Sequence, residues 1–197
     1  MKRIFDIVLS AVVFVLLLPI FIVIAVFIKA GSKGPVFYLQ TRVGKDESDF
    51  KIFKFRTMYI GSDKNGLLTV GGNDSRITKT GRFLRNYKLD EFPQLINVLI
   101  GDMSLVGPRP EVRKYVNLYN KEQLKVLSVK PGITDYASVE YSLENELLGK
   151  AQDPEKEYIE VIMPAKLLLN LKYINERSFF VDLKILWSTV AKIATSH

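Results

Sequence analysis

The sequence predicts a mainly α-helical fold with a small β-hairpin, preceded by an N-terminal membrane helix that is kinked at its centre. Three observations lead there. From Ile7 to Ile28 there are 22 residues without a charge, long enough to reach across a bilayer. Two short segments rich in β-branched and aromatic residues follow, parted by a charged linker, and these read as strands. Most of the remaining chain places apolar residues at helical spacing in stretches closed by Gly or Pro.

Composition narrows the chemistry. The 197 residues suffice for one domain with a real core and an appendage. There is no cysteine, and the single histidine is the last residue, His197. Thiolate nucleophiles, disulfides and thiolate zinc sites are therefore excluded, and histidine bases or ligands are disfavoured. Any catalysis must rest on Asp, Glu, Lys, Tyr, Ser or Thr, and any metal should be a hard cation such as Mg²⁺ on oxygen ligands. The net charge of +7 suits an anionic partner such as a membrane surface, a nucleotide diphosphate or a nucleic acid.

The apolar segment is too long for the core of a signal peptide, and no small-x-small cleavage pattern follows it, so it reads as retained. Lys2 and Arg3 precede it, while Lys29 and Lys33 follow. Positive charge tends to stay on the cytoplasmic side, and here both flanks carry it. Pro19 lies near the middle, where it removes a backbone donor and clashes with the preceding turn. Two geometries stay open on physical grounds: a re-entrant helix broken near Pro19, and a spanning helix that tolerates its proline. A boundary near residue 31 divides this segment, 1–30, from a second domain, 31–197.

In the second domain VFYLQTRVG and FKIFKFRTM read as strands, joined by KDESD at 45–49. Residues 61–75, rich in Gly, Asn and Asp, read as a loop, and Gly71-Gly72 belongs to no dinucleotide fingerprint. Thr80 reads as the cap of a basic helix, GRFLRNYK, with Arg82 and Arg85 near one another. A helix from about Asp90 to Ile100 takes Pro93 in its first turn and stops at Gly101. Further helices are expected over 111–127, over 155–174 with an interruption at Pro164, and over about 179–194. The last two are amphipathic, suited to a core or to the bilayer surface.

The candidate site lies in KLDEFPQLINVLIGDMSLVGPRPE, 88–111. Asp90 and Glu91 are adjacent carboxylates at the expected helix start, and Arg109 is framed by Pro108 and Pro110. Together they suit metal-assisted phosphate chemistry. A helix cap would also explain an acidic pair in a first turn. Lys51, Lys54 and Arg56 interleave with Ile52, Phe53 and Phe55. Lys51 reads as the wet face of a strand; Lys54 and Arg56 could be that or could hold phosphate.

Taken together, the motifs resemble those of the bacterial sugar transferases, the monotopic polyprenyl-phosphate phosphoglycosyl transferases. The likeness rests on the apolar segment with Leu18-Pro19, on Lys54-Phe55-Arg56-Thr57-Met58 and on Leu89-Asp90-Glu91-Phe92-Pro93-Gln94-Leu95. Gly101-Asp102-Met103-Ser104, Gly107-Pro108-Arg109-Pro110, Pro131-Gly132-Ile133-Thr134 and Asp182-Leu183-Lys184 extend it over nearly the whole chain. The length matches members that carry only the catalytic domain and its membrane helix. The resemblance implies a re-entrant helix broken at Pro19 and a compact catalytic domain, with amphipathic interfacial helices, on the cytoplasmic face of the bacterial inner membrane. It implies transfer of a sugar-1-phosphate from a UDP-sugar to polyprenyl (undecaprenyl) phosphate, releasing UMP and initiating surface glycan assembly. By that likeness Asp90 is the nucleophile, forming a covalent phosphosugar intermediate and binding Mg²⁺ together with the diphosphate. Glu91 assists as a base or by orienting the site, and Lys54 and Arg109 hold phosphate; Arg56 is kept beside them as a phosphate-binding candidate from its place next to Lys54. Two departures stand out. Leu18 replaces a small polar residue before the proline, and Asp135-Tyr136-Ala137-Ser138-Val139-Glu140-Tyr141-Ser142 replaces a Gly-aromatic-Ala-Gln-Val-Asn-Gly-Arg run.

Two other function classes compete: a non-enzymatic membrane adaptor for glycan-assembly enzymes, and a glycosyltransferase that releases UDP. Nucleic-acid binding lacks a recognised fold signature. The sequence leaves open the sugar, the prenyl length, the glycan and the oligomeric state; a homodimer is compatible with it.

Overall fold

The computed structural model describes residues 1–62 and 74–195. Most of the expected loop at 61–75, with Gly71-Gly72, and the terminal His197 lie outside the described residues. The first element is a single 30-residue helix, α1 (Lys2–Gly31). It is long and apolar enough to cross a membrane, and most of its surface is exposed. Helical backbone runs through Pro19, although proline has no N–H to donate to the carbonyl one turn earlier.

Both ends of α1 bear on the rest of the protein. At the start, Lys2 reaches Asp182 at 2.5 Å, and Arg3 donates to the carbonyls of Val98 and Leu99 at 2.6 and 3.2 Å. One turn on, the buried Asp6 accepts from the Ser104 hydroxyl at 2.7 Å. At the far end Phe21, Ile24 and Ile28 are buried against Phe55 and Leu84. Between them, Phe5, Leu9, Val13, Phe14 and Leu17 pack against the central core.

The expected hairpin is present. Strand β1 (Phe37–Val43) pairs antiparallel with β2 (Asp49–Phe55), in a register that sets Phe37 opposite Phe55 and Tyr38 opposite Lys54. The linker closes as a short 3-10 turn in which Asp46 and Glu47 take positive φ. Helix α2 (Lys79–Asn86) begins two residues before the expected run. Its cap is Thr78, not Thr80: the Thr78 hydroxyl accepts from Gly81 N–H at 2.9 Å. Gly81 is required at this contact, because a Cβ there would lie 2.0 Å from the Thr57 carbonyl oxygen.

The expected helix at 90–100 starts later. Leu89–Glu91 forms a 3-10 turn entered through Lys88 at φ 56°, and α3 (Gln94–Ile100) follows Pro93. Gly101 ends α3 at φ 104°, the left-handed cap that glycine adopts without penalty. Asn97 fixes α3 to the hairpin edge, accepting from Phe53 N–H at 2.9 Å and donating to the Lys51 carbonyl at 2.7 Å.

A second pair of strands was not expected. Strand β3 (Ser104–Val106) runs parallel to β4 (Gly132–Thr134), pairing Ser104 with Gly132 and Val106 with Thr134. The backbones come so close that a Cβ on Gly132 would meet the Gly107 nitrogen at 2.1 Å. This contact joins the two Pro-Gly motifs. The long helix expected over 111–127 is instead one turn, α4 (Arg113–Val116), and a 3-10 segment, Gln123–Ser128.

The remaining chain is helical: α5 (Tyr136–Glu140), α6 (Glu144–Lys150), α7 (Pro154–Glu157), α8 (Met163–Glu176) and α9 (Phe179–Thr195). The interruption expected at Pro164 takes the form of a π turn, Tyr158–Ile162, just before it, and Pro164 sits in the first turn of α8, where a missing N–H costs little. The central core gathers Ile52, Leu95, Val98, Met103, Leu105, Val106, Tyr173 and Ile185. It is mostly helical, as expected, around a small hairpin.

Candidate active site

Four expected residues meet where β2, the 3-10 turn and the loop after β3 converge. Lys54 shares a face of β2 with the buried Ile52, two residues earlier, so strand alternation turns it inward. Its ammonium lies 2.9 Å from Glu91 Oε1. From the other side Arg109 grips both oxygens of Glu91: Nη1 donates to Oε2 at 2.9 Å and Nη2 to Oε1. The arginine is held in turn through its backbone, whose N–H donates to the buried Asp135 carboxylate at 3.1 Å. Asp135 also caps α5, accepting from Ser138 N–H at 2.6 Å.

Asp90 lies beside this network but outside it. The residue is 7% exposed, and its carboxylate accepts no hydrogen bond among the described residues. Burial, and then the charge of Glu91, raise its pKa above the usual aspartate value against the pull of Lys54, Arg85 and Lys88. Glu91 behaves oppositely. Burial would raise it, yet Arg109 and Lys54 outweigh that and hold it well below the usual carboxylate range. Burial also lowers the Lys54 ammonium pKa, although Glu91 opposes the shift. Two neighbouring carboxylates are thus driven apart: one is committed to an ion-pair cluster, the other is open and reluctant to ionise.

Arg56 is not brought into this cluster. It is 5% exposed, and its guanidinium donates to the carbonyls of Pro35 at 2.7 Å, Lys33 at 2.6 Å, Ser32 at 2.9 Å and Ile28 at 3.4 Å. These carbonyls belong to the end of α1 and the segment after it, so the expectation that Arg56 holds phosphate is corrected: its donors are spent on backbone. Lys51 is exposed and bonds the Thr41 hydroxyl at 2.6 Å. Arg85 takes a place near the site that sequence reasoning left as helix surface. Burial lowers its pKa, Asp90 heads the charges opposing that, and its Nε donates to the Thr57 hydroxyl at 2.9 Å. Asp135 was legible only as a departure from a pattern, although an Asp three residues before a Ser N–H is a recognisable cap.

Among the described residues, no group of three or more His, Cys, Asp or Glu is arranged to hold a metal ion. One open carboxylate is still compatible with Mg²⁺, which characteristically takes one or two carboxylates and completes its shell from water and substrate phosphates.

An unpartnered carboxylate beside a Lys–Arg–Glu cluster, on a chain whose first helix is long and apolar enough to cross a membrane, is an arrangement suited to phosphate chemistry. The family follows. The model for the bacterial sugar transferases matches residues 1–196, and the chain belongs to that family. It is 40% identical over 195 residues to the UDP-glucose:undecaprenyl-phosphate glucose-1-phosphate transferase of Klebsiella pneumoniae, covering 97% of this chain and 39% of that protein. The UDP-N-acetylgalactosamine-undecaprenyl-phosphate N-acetylgalactosaminephosphotransferase of Aeromonas hydrophila is 37% identical over 197 residues, covering 98% of this chain and 44% of the relative. The uncharacterized sugar transferase EpsL of Bacillus subtilis is 40% identical over 201 residues, covering 100% of this chain and 89% of the relative. The chain therefore spans less than half the length of the first two curated relatives.

Proposed function

We propose that this protein is a phosphoglycosyl transferase that moves a sugar-1-phosphate from a UDP-sugar to a polyprenyl phosphate, undecaprenyl phosphate being the acceptor in the names of its relatives. The observation that carries this reading is the split acidic pair: Glu91 bound by Lys54 and Arg109, with Asp90 left without a hydrogen bond. A carboxylate oxygen of Asp90 attacks the phosphorus bearing the sugar. The bond from that phosphorus to the bridging oxygen breaks, and UMP leaves with the electron pair. An oxygen of the lipid phosphate then attacks the same phosphorus, and Asp90 departs as its carboxylate. Splitting the transfer this way means that nucleotide and lipid need not be bound together.

Arg109 and Lys54 hold Glu91 well below the usual carboxylate range, which favours an orienting role: it keeps both cations in place until phosphate oxygens compete for them. Arginine's planar fork suits that exchange. Positioning and neutralisation of charge supply most of what phosphoryl transfer requires. Asp90 and the donor diphosphate would hold Mg²⁺, which when bound offsets the repulsion between carboxylate and phosphates.

The same reading places α1 as a re-entrant helix and the domain on the cytoplasmic face of the inner membrane. Support comes from the two anchored ends of α1. One domain grips Arg3 and the Ile28 carbonyl alike, an arrangement that a helix with its two ends on opposite sides of the hydrocarbon core would not allow. The exposed stripe of Phe180, Leu183, Trp187 and Val190 on α9 fits a helix lying in the interface.

The test is to incubate the purified protein with Mg²⁺, undecaprenyl phosphate and a panel of UDP-sugars, and to identify the nucleotide released, with Asp90→Asn in parallel. UMP release from one donor, lost in the variant, is expected. UDP release would make the protein a glycosyltransferase, and no release from any donor would favour an adaptor.

A further inference from the structure

Within the motif Asp182-Leu183-Lys184, the aspartate is spent on holding the fold and the lysine is not. Asp182 is buried, accepting from Lys2 at 2.5 Å and from the Tyr173 hydroxyl at 2.7 Å. Lys184 forms no ion pair among the described residues. It lines a cavity of about 160 Å³ between α5, α8 and α9, together with Lys172, Tyr136, Glu140 and Ser188. Lys172 lies 5.7 Å from the centre of the Tyr136 ring. Two lysines and one glutamate thus share a small cavity whose other walls include the apolar Val139, Leu169 and Ile185.

The position of this cavity says what it can meet. On α9 the exposed apolar residues Phe180, Leu183, Trp187 and Val190 form one stripe, while Asp182 and Ile185 are buried on the opposite side. At 100° per residue Lys184 falls between these faces, at the edge of the stripe. The stripe continues into the membrane helix: Phe179 packs edge-on against Phe5 of α1, with ring centres 5.1 Å apart. A lysine at such an edge sits at headgroup height, with its methylenes on apolar surface and its charge toward phosphate.

We infer that the cavity between α5, α8 and α9 is a second anion site, distinct from the Asp90 site, where Lys172 and Lys184 bind the phosphate of an amphiphile lying along α9. The inference rests on the interfacial reading of α9 given above but not on the transfer chemistry. The ligand class is a phosphate bearing an acyl or prenyl chain, and two sources share it: a resident anionic phospholipid and the prenyl phosphate acceptor. Tyr136 follows Asp135, which holds the Arg109 backbone, so an occupant would stand one residue from the active-site scaffold.

The chain has a single tryptophan, and it is Trp187, one turn from Lys184. Its fluorescence can report binding to the full-length protein in neutral detergent. The titrants are dihexanoyl phosphatidylglycerol, dihexanoyl phosphatidylcholine, farnesyl phosphate and inorganic phosphate. Saturable binding of phosphatidylglycerol or farnesyl phosphate is expected, with the tighter of the two identifying the source. Inorganic phosphate should bind far more weakly, since it has no chain to lie on the stripe. Removing one lysine (Lys172→Gln or Lys184→Gln) should weaken binding about fivefold, and removing both about thirtyfold, at about 1 kcal/mol for each lysine near an anionic headgroup. The double change to Arg should restore it. Equal response to phosphatidylcholine, or unchanged affinity in the double Gln variant, would overturn the site. Neither result depends on UMP release, so failure here leaves the transferase reading to its own test.

Discussion

Two regions of this molecule bury charge, and they use it differently. Along the seam between α1 and the domain, every buried charge is matched: Arg56 on four carbonyls, Asp6 on the Ser104 hydroxyl and Asp182 on Lys2 and Tyr173. At the candidate site the matching is incomplete. Glu91 takes two cations, and Asp90, adjacent in sequence and more deeply buried, takes no hydrogen bond among the described residues. Burying a charge without partners is costly, and that cost has no structural return. On the proposed function, the contrast separates charges that build the protein from the one that reacts.

The sharpest way to break this contrast is to remove the open group. Asp90→Asn should reduce UMP release roughly 10⁴-fold or more, the order seen when a nucleophile is deleted, while thermal stability holds or rises slightly. The sign follows from linkage: a raised carboxyl pKa means that the folded state favours the proton, so ionisation weakens folding as pH rises through that value, and Asn removes the penalty. A thermal melt beside the activity assay checks both halves; a large loss of stability would show that Asp90 is a structural charge after all.

Arg56→Ala should do the reverse. Withdrawing a buried guanidinium from four carbonyls should cost about 3 kcal/mol, read by denaturant unfolding, with kcat of the remaining folded protein nearly unchanged. Arg109→Ala falls between the two. It frees Glu91 from its stronger partner, so activity should drop roughly 10²-fold and stability by about 1–3 kcal/mol.

Two smaller effects sharpen the comparison further. The acid limb of kcat/KM should lie above the range of an ordinary aspartate, because Asp90 must lose its proton to attack, and Glu91→Gln should move that limb to lower pH in the residual activity. Chelation of divalent ions should stop turnover while leaving the melting temperature of the substrate-free protein unchanged, since no group of three or more His, Cys, Asp or Glu among the described residues is arranged to hold a metal ion.

The parts of this design legible in the sequence are those written in local pattern. Alternating aromatic and β-branched residues marked β1 and β2, and helical spacing marked α9 to within one residue at its end. Asp90, Glu91, Lys54 and Arg109 were joined as a set only by the family resemblance, since local pattern left a helix cap and a solvated strand face open as explanations. What the sequence hid was mostly long-range. Arg56 and Lys54 stand two residues apart and looked alike, yet Lys54 lies within β2 while Arg56 follows its end and meets the carbonyls closing α1. Strands β3 and β4 have three residues each, too few for a period, and exist because Gly107 and Gly132 let two backbones touch. The helix read over 111–127 failed because the segment folds around Glu111, which binds Arg42 and Tyr158, rather than along one axis.

The central claim is that the unpartnered carboxylate of Asp90 becomes covalently bonded to the phosphosugar. It is tested most directly by mixing the protein with its UDP-sugar and Mg²⁺ in the absence of lipid acceptor, then quenching, digesting and weighing the peptides. A burst of about one UMP per protein, with the mass of one sugar phosphate added to the peptide containing Asp90, is the predicted result. UMP release that waits for the lipid, with no adduct on any peptide, would mean direct transfer and would contradict the account.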